Sequence, residues 1–401
     1  RHEPPRGRLF EVKGSPATVN LTGPEYGFGL YVHWPYCQRI CPYCDFNVYA
    51  AKARDTGGLV DALVRDLHRH RQVLPDHPPL NAVFFGGGTP SLMTAEALGK
   101  VMATADETFG LAPNCELTLE ANPNEVTRDA VETWRALGFS RISLGVQALD
   151  DPALTFLGRD HSSAQAREAI AFVAKAFDNY SVDLIYARPG QTIEAWSAEL
   201  SELLTFKPPH LSLYELTIEA KTAFGKRAAR GQLTPMPDDD QADLYEVTQA
   251  ICDAAGCPAY EVSNHASAPG FRSVHNTIYW RSGDWIGLGP GAHGRLTRGG
   301  QRFASEAARR PGDYETSVQA PLSLQSLPDL DVARELLSMG LRLDSGVEQT
   351  RLETAFARPL EAETLADLTN EGWLLAENGR LALSREGRLL ADAITARLDP
   401  T

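Results

Sequence analysis

The sequence predicts an α/β protein, a partial (β/α)6 barrel followed by a small winged-helix-like C-terminal domain. Two observations predict this architecture. Up to about residue 321, short apolar runs alternate with amphipathic stretches, as in parallel strands joined by right-handed helical crossovers. Beyond that point the alternation gives way to helices around one hairpin. We therefore divide the 401 residues into an N-terminal arm (residues 1–28), a barrel domain (29–321) and a C-terminal domain (322–401).

The barrel is predicted from six apolar runs, each bounded by Gly, Pro or Asn. The predicted strands are Leu30–Trp34, Asn81–Phe85, Glu116–Glu120, Arg141–Val146, Val182–Ala187 and Leu211–Leu216. The predicted helices between them are Leu59–Arg71, Ala95–Thr108, Glu125–Leu137, Ala164–Phe177 and Ile193–Leu204. Ala259–Asn264 is expected to extend the sheet. In such barrels the ligand lies at the C-terminal ends of the strands.

The C-terminal domain is predicted from three helical stretches and a hairpin. The helices are Val332–Leu341, Leu360–Thr369 and a last one from Ser384 towards Leu398, and Asn378-Gly379 is a strong hairpin signal between Trp373–Ala376 and Arg380–Leu383. A winged helix often binds DNA. Residues 331–401, however, contain 13 Asp and Glu against 8 Arg and no Lys, so a lid or docking role is favoured.

Composition excludes several classes of partner. The formal charge of −14 disfavours nucleic acid, because phosphate binding needs basic patches. No apolar run reaches the roughly 18 residues of a membrane span, and the first residues show no apolar signal core. Six cysteines in this length do not make a disulfide scaffold, which fits a reducing compartment. We expect a cytoplasmic protein.

Three cysteines within eight residues, Cys37, Cys41 and Cys44, are the strongest functional signal. Closely grouped thiolates select zinc, copper(I) or an iron–sulfur cluster. Structural zinc sites and simple ferredoxin clusters both take four protein ligands. Three thiolates on a four-iron cluster would leave one iron open to another ligand. The alternative is a zinc site that uses His33 or Asp45 as its fourth ligand.

Glycines and polar residues follow the later strands, at the edge where a ligand is expected. Gly86-Gly87-Gly88 follows the second strand, where the missing Cβ atoms let the backbone approach a ligand closely. Glu120 and Gln147 end the third and fourth strands, Arg159 lies twelve residues further on, and Asp183 is in the fifth run. Each could singly be a capping or core-satisfying group. Together they predict a polar ring around one mouth.

These motifs resemble the radical S-adenosylmethionine (radical SAM) superfamily, and within it the oxygen-independent coproporphyrinogen III oxidases and their relatives. The resemblance extends from Tyr31 over nearly the whole chain, including Tyr-Val-His-Trp-Pro at 31–35 and Arg-Ile-Ser-Leu-Gly-Val-Gln at 141–147. It implies a [4Fe–4S] cluster whose ligands are Cys37, Cys41 and Cys44. It also implies that S-adenosylmethionine is held by Tyr31, Tyr43, Gly87, Glu120, Gln147, Arg159 and Asp183. One departure is Ala187, where many relatives carry Gly, and its side chain is expected to narrow the pocket.

Two features resemble the heme-chaperone branch of that family more than its oxidases. The oxidases carry a fourth cysteine two positions after the third, where this chain has Phe46, and the arm before Tyr31 is short. The run His275-Asn276-Thr277-Ile278-Tyr279-Trp280 is similar to the heme-binding motif of the branch. Imidazole is a common ligand of heme iron, and Tyr and Trp can pack on a macrocycle. The resemblance therefore implies that His275 binds heme.

The resemblance also implies partners and an activity. The partners are heme, a respiratory protein that accepts it, an electron donor such as a flavodoxin, and membrane proteins that are contacted peripherally. The fold is able to cleave S-adenosylmethionine. The alternative function is oxidative decarboxylation of coproporphyrinogen III in porphyrin biosynthesis, which Phe46 disfavours.

Overall fold

A computed structural model describes residues 20–51 and 56–400, and within them eleven strands form one mixed sheet. In chain order the strands are β1 Phe28–Trp34, β2 Leu80–Gly87, β3 Leu111–Ala121, β4 Arg141–Gln147, β5 Asn179–Tyr186, β6 His210–Glu215, β7 Asn264–Ala266, β8 Asp284–Leu288, β9 His293–Arg298, β10 Gln301–Glu306 and β11 Gln325–Ser326. Their spatial order is β11-β10-β9-β8-β1-β2-β3-β4-β5-β6-β7. The sheet is therefore open, as expected of a partial barrel. Residues 1–19 of the predicted arm lie outside the described residues.

The six predicted strands are confirmed as β1 to β6, which lie side by side in chain order and are all parallel. The helices of the barrel are α1 Gly57–Val73, α2 Ala95–Phe109, α3 Arg128–Ala136, α4 Asp151–Phe156, α5 Ser163–Ala176, α6 Ile193–Thr205, α7 Ala223–Ala228, α8 Asp238–Ala254, α9 Val274–Trp280 and α10 Pro311–Ser317. Side-chain caps at Thr94, Thr127 and Ser162 define where α2, α3 and α5 begin. Because successive strands are parallel, their C-terminal ends meet at one edge.

The sheet differs from the prediction at both of its sides. Beyond β6, the predicted strand Ala259–Asn264 is wrong in position, since β7 begins only at Asn264 and runs antiparallel to β6. Residues 260–264 instead form a turn closed by a hydrogen bond from Tyr260 N to Asn264 O. On the other side, β8 pairs in parallel with β1 and was not predicted. Gly287 within it and the glycines on either side make it look like a loop in the sequence.

Side chains along β1 point alternately into the hydrophobic core and into the interior of the barrel. Leu30 and Val32 are fully buried in the core that the outer helices cover. Tyr31 and His33 point to the opposite face, into a cavity. Successive side chains of a strand face opposite sides, so one strand both anchors the core and lines the site.

The C-terminal domain has the predicted winged-helix-like order, with one additional helix. Its elements are α11 Asp329–Arg342, β12 Val347–Glu348, α12 Gln349–Ala355, α13 Ala362–Asn370, β13 Leu374–Glu377, β14 Arg380–Leu383 and α14 Ala391–Leu398. The hairpin at Asn378-Gly379 is confirmed, and β12 adds to it. The last helix begins only at Ala391. Ser384, which was expected to cap it, instead caps a short turn by accepting a hydrogen bond from Gly387 N. Among the described residues, no helix is both long and apolar enough to cross a membrane.

The first described residues are fastened to the C-terminal domain. Leu21 packs against the hydrophobic cluster of that domain. The Arg351 side chain is buried, and its Nε donates to the carbonyl of Leu21 at 2.9 Å. The same guanidinium lies 3.6 Å from the ring centroid of Tyr26 and donates to Arg281 O. We call residues 20–27 the strap, because they join β1 to the end of the chain.

Candidate functional site

The three cysteines and most of the predicted ring line one cavity of about 490 Å³ at the C-terminal edge of the sheet. Of the predicted residues, those at this cavity are Cys37, Cys41, Cys44, Tyr43, Gly87, Glu120, Gln147, Arg159 and Asp183. Tyr31 lies outside it, in a neighbouring cavity. We call these two spaces the outer cavity and the inner cavity.

The cysteine loop is held from both of its ends. Tyr36–Cys37 pairs in parallel with Tyr49–Ala50, which returns the loop to β1. A Cβ on Gly88 would lie 3.0 Å from the Cys37 sulfur and 2.8 Å from Tyr36 O, so only glycine fits beneath the loop. Desolvation raises the pKa of the Cys37 thiol, and that of Cys44 to about 11. Both thiols therefore lose a proton when they ligate a metal.

The donor set fits a multinuclear cluster better than a single zinc ion. Within the described residues, no three His, Cys, Asp or Glu side chains are close enough to hold one ion. His33 is engaged at both ring nitrogens: Nε2 with Asn47 O and Nδ1 with Tyr31 Oη, each at 3.0 Å. It is thus not free to be a fourth zinc ligand. Three thiols spread along one wall suit a [4Fe–4S] cluster, in which each cysteine binds a different iron.

Arg159 connects the cysteine loop to the strand ends. Its Nη1 donates to the Cys41 sulfur at 3.4 Å and its Nη2 to Gly145 O at 3.0 Å. Nη2 also donates to Asn122 Oδ1, while Asn122 Nδ2 donates to Thr89 at 3.2 Å. Sequence reasoning missed Asn122, although its place in Glu-Ala-Asn-Pro directly after a strand could have indicated it. A guanidinium fixed in this way ties the Cys41 sulfur to the ends of the strands.

Gly87 and Glu120 form a contact between two strand ends. The Gly87 amide donates to Oε2 of Glu120 at 3.0 Å. Gly87 has a φ of 106°, and a Cβ there would lie 2.5 Å from the His33 ring, so both conformation and space require glycine. Desolvation, and then the nearby Asp183 carboxylate, raise the pKa of Glu120 to about 8. Glu120 therefore holds a proton at neutral pH until a cation arrives.

Gln147 reaches the cavity through an irregular strand end. It has a φ of 69°, and the pairing of β4 with β5 shifts register between Leu144 and Gln147. Such a bulge re-aims a side chain, and here Gln147 lines the outer cavity.

Ala187 behaves differently from the expectation. It is buried in the hydrophobic core and does not line the cavity, so the predicted narrowing is wrong.

The inner cavity occupies about 500 Å³ inside the barrel, and it shares a wall with the outer one. The shared residues are Phe46, Glu120, Ser143, Asp183 and Tyr214. One side of the inner cavity is aromatic, formed by Tyr31, Phe84, Tyr279 and Trp285, and the other is polar, with Ser143, Ser181, His210 and Ser212. Phe46 lines both cavities and remains 65% exposed.

His275 is buried on the aromatic side of the inner cavity. Its ring stacks on Phe84 and meets Tyr279 edge-on at 4.5 Å between centroids. Within the described part of the chain, its Nδ1 has no hydrogen-bond partner. Burial lowers the pKa of His275 to about 3, which keeps the imidazole neutral. A neutral imidazole is the form that ligates metals.

The aromatic residues of the motif do not all face the cavity. Tyr279 faces it, and its ring centroid lies 4.4 Å from that of Trp285. Trp280 packs instead beside Tyr260 and Leu343, with the Arg342 guanidinium 4.5 Å from its ring centroid. The expectation that Trp280 packs on a ligand is therefore wrong. Trp285, from the unpredicted β8, takes that place.

Two family models match the chain. The model of the radical SAM superfamily matches residues 31–202, and that of the HemN C-terminal domain matches residues 327–390. Among solved structures, coproporphyrinogen III oxidase (HemN) from Escherichia coli superposes with a TM-score of 0.76 at 21% identity, covering 93% of this chain and 90% of that one. This likeness shows a shared fold.

Relatives of similar length match over most of the chain. It is 36% identical over 394 residues to the heme chaperone HemW of Mycobacterium tuberculosis, covering 95% of this chain and 98% of the relative. It is 34% identical to the heme chaperone HemW of Synechocystis over 359 residues, covering 86% and 85%. A Mus musculus protein, the mitochondrial radical S-adenosyl methionine domain-containing protein 1, is 36% identical over 390 residues, covering 92% and 87%.

Proposed function

The chain belongs to the family of the heme chaperone HemW, within the radical SAM superfamily, and we therefore propose that it binds heme through His275 and delivers it to a respiratory acceptor protein. The observation that carries the proposal is the position of His275. A neutral imidazole with an unpartnered nitrogen lies on the aromatic wall of a cavity whose volume is in the usual range for small-molecule sites.

The residues of the outer cavity support a cluster and a nucleotide beside that heme. Cys37, Cys41 and Cys44 would hold a [4Fe–4S] cluster, which when reduced supplies one electron for cleavage of S-adenosylmethionine. Arg159 donates a hydrogen bond to the Cys41 sulfur. The Gly87 amide holds Glu120 in place, and Glu120 with Asp183 provides two carboxyl groups for a cationic ligand. Tyr43 and Gln147 complete the proposed set on the outer side, and Tyr31 on the inner side.

The proposal also covers partners and compartment. All six cysteines are among the described residues and all are free thiols, which suits the cytoplasm and a reducing electron donor such as a flavodoxin. The formal charge of −14 argues against nucleic acid. The heme acceptor would be a respiratory protein, so contact with membrane proteins would be peripheral.

Hemin titration of the anaerobically reconstituted protein tests the proposal. Wild type is expected to show a Soret band that saturates with one hemin, and His275→Ala to lose it. His293→Ala is the matched control, because this imidazole lies on the rim of the same cavity and its side chain is 53% exposed. If His275→Ala binds hemin as wild type does, the role of His275 is refuted.

The second candidate is oxidation of coproporphyrinogen III, which the fold shared with HemN favours. Phe46 argues against it, since its side chain stands where the oxidases carry a cysteine. Anaerobic turnover with coproporphyrinogen III, S-adenosylmethionine and a reductant separates the two functions. We expect no sustained formation of protoporphyrinogen. Multiple turnovers would place the oxidase first.

A further inference from the structure

A chain of four hydrogen bonds joins Asp183, on the wall between the two cavities, to the first turn of α9, which carries His275. Ser273 N donates to Tyr260 Oη at 3.1 Å, and Tyr260 Oη lies 2.9 Å from His210 Nε2. His210 Nδ1 is 2.8 Å from Ser181 Oγ, which donates to Asp183 Oδ1 at 2.9 Å. The other four members of this hydrogen-bond chain are each at most 2% exposed: Ser273, Tyr260, His210 and Ser181.

The donors of this chain all point in one direction. With Tyr260 Oη accepting from Ser273 N, we assign its own proton to His210 Nε2. In this assignment His210 carries its proton on Nδ1 and donates it to Ser181. The Ser181 hydroxyl then donates to the Asp183 carboxylate. A sequence of bonds oriented in this way is polarised along its length, so that each bond strengthens the next one.

A second contact fixes the same turn of α9 from another strand. Oε1 of Glu116, on β3, accepts from Val274 N at 3.0 Å and from His275 N at 3.3 Å. Arg141 Nη1 lies 3.7 Å from the other carboxylate oxygen. The backbone of His275 is thus held by strands of the barrel on one side and by the chain through Tyr260 on the other. A small change at either contact shifts the imidazole in the inner cavity.

We propose that this hydrogen-bond chain couples the two cavities, so that S-adenosylmethionine bound beside Asp183 tightens the binding of heme at His275. The inference rests on the proposed function. It goes beyond that function by assigning a role in regulation to Tyr260, His210 and Ser181, which act through His275 as positioning residues.

The two states of the coupling are those of the Asp183 carboxyl. Desolvation raises the pKa of Asp183, which favours the protonated form when the outer cavity is without its cation. A nearby sulfonium or ammonium group favours the ionised form. An ionised carboxylate accepts a shorter and stronger hydrogen bond from Ser181 than a neutral one does. The polarised chain then holds Ser273, and with it the first turn of α9, more firmly.

Hemin affinity measured with and without S-adenosylmethionine on the cluster-reconstituted protein tests the coupling. We expect about fivefold tighter hemin binding in its presence, within the usual range of coupling between sites. Calorimetry with hemin already bound should show the same factor for S-adenosylmethionine, because coupling between two binding sites is reciprocal. Equal hemin affinity in both conditions would overturn the inference and leave the proposed function standing.

Variants of the chain separate coupling from folding. Tyr260→Phe removes the hydroxyl and keeps the ring, and it is expected to bind hemin but lose the response to S-adenosylmethionine. Tyr180→Phe is the control, since among the residues that the structure describes that hydroxyl meets only Phe206 O, at 3.5 Å. Ser181→Ala should lose the response and Ser181→Thr should keep it. A response of wild-type size in both Tyr260→Phe and Ser181→Ala would refute the role of the chain. Failure of wild type to bind hemin at all would instead refute the proposed function.

Discussion

The imidazole of His275 stacks on the phenyl ring of Phe84, with centroids 4.7 Å apart and ring planes 22° from parallel. This contact fixes the plane of the imidazole, because β2 supplies a rigid partner beneath it. His275 also lines the inner cavity. If His275 binds heme as proposed, its imidazole is oriented before heme arrives, so little ordering is needed on binding.

The first prediction tests this stacking. Phe84→Leu keeps an apolar side chain but removes the aromatic face, and aromatic pairs are worth about 0.5–1.5 kcal/mol beyond their area. We expect hemin affinity to fall by about twofold to tenfold, measured by Soret titration. Phe139→Leu is the control, because Phe139 pairs with Phe85 in the hydrophobic core. Equal losses in the two variants would show a general effect of destabilisation.

The second prediction concerns the cysteine loop. Cys37→Ala, Cys41→Ala or Cys44→Ala should each prevent reconstitution of a [4Fe–4S] cluster, seen as loss of its visible absorbance and of bound iron. Cys252→Ala is the comparison, since Cys252 is buried in the hydrophobic core and should retain the full iron content. A zinc content of one per chain, with no iron after reconstitution, would contradict the cluster.

The third prediction uses the space around Gly87. A Cβ at this position would lie 2.5 Å from the His33 ring, and the positive φ adds strain. Gly87→Ala should displace the amide that holds Glu120 and weaken S-adenosylmethionine binding at least about tenfold, or about 1.4 kcal/mol. Gly270→Ala, whose added Cβ would meet nothing within 4 Å, should bind normally. Calorimetry compares the two, and unchanged affinity in Gly87→Ala would exclude the role of this amide.

The fourth prediction is a pH dependence of stability without ligand. The pKa of Glu120 is raised to about 8 in the folded protein by desolvation and by Asp183, whereas an unfolded Glu titrates near 4.3. Between these values the folded state binds more protons, so stability falls as pH rises from about 5 to 8, by at most about 1.4 kcal/mol per pH unit. Glu120→Gln should flatten this slope in denaturation curves.

A control for this effect is Glu132→Gln, which removes an exposed carboxyl from α3. It makes the same chemical change at an exposed site but should leave the slope as in wild type. Matching slopes for wild type and Glu120→Gln would show that another group governs the pH dependence.

Much of the barrel could be predicted because local patterns determine it. The apolar runs of β1 to β5 are each followed by an amphipathic stretch, and the cysteine loop directly follows the first strand. Strand β8 could not be predicted in the same way. Gly287 lies within it and Gly289 just beyond its end, so its sequence reads as a turn, and its strand state depends on pairing with β1.

The directions in which the side chains of the motif at 275–280 point were also not predicted, although helix periodicity could have indicated them. His275 and Tyr279 are four residues apart, so they share a face of α9. Trp280 is one residue further round the helix and points away from them. The chain from Ser273 to Asp183 was beyond sequence reasoning, because its members come together only when β5, β6 and the turn before β7 pack.

The strap has a consequence for the order in which the protein is completed during synthesis. Residues 20–27 leave the ribosome early, yet Leu21 packs against side chains of residues 333–398, and its carbonyl accepts from Arg351. Domains usually fold as they emerge, the N-terminal part first. Here Leu21 must wait for almost the entire polypeptide, so the nascent barrel has its first strand in place before the strap can contact the C-terminal domain.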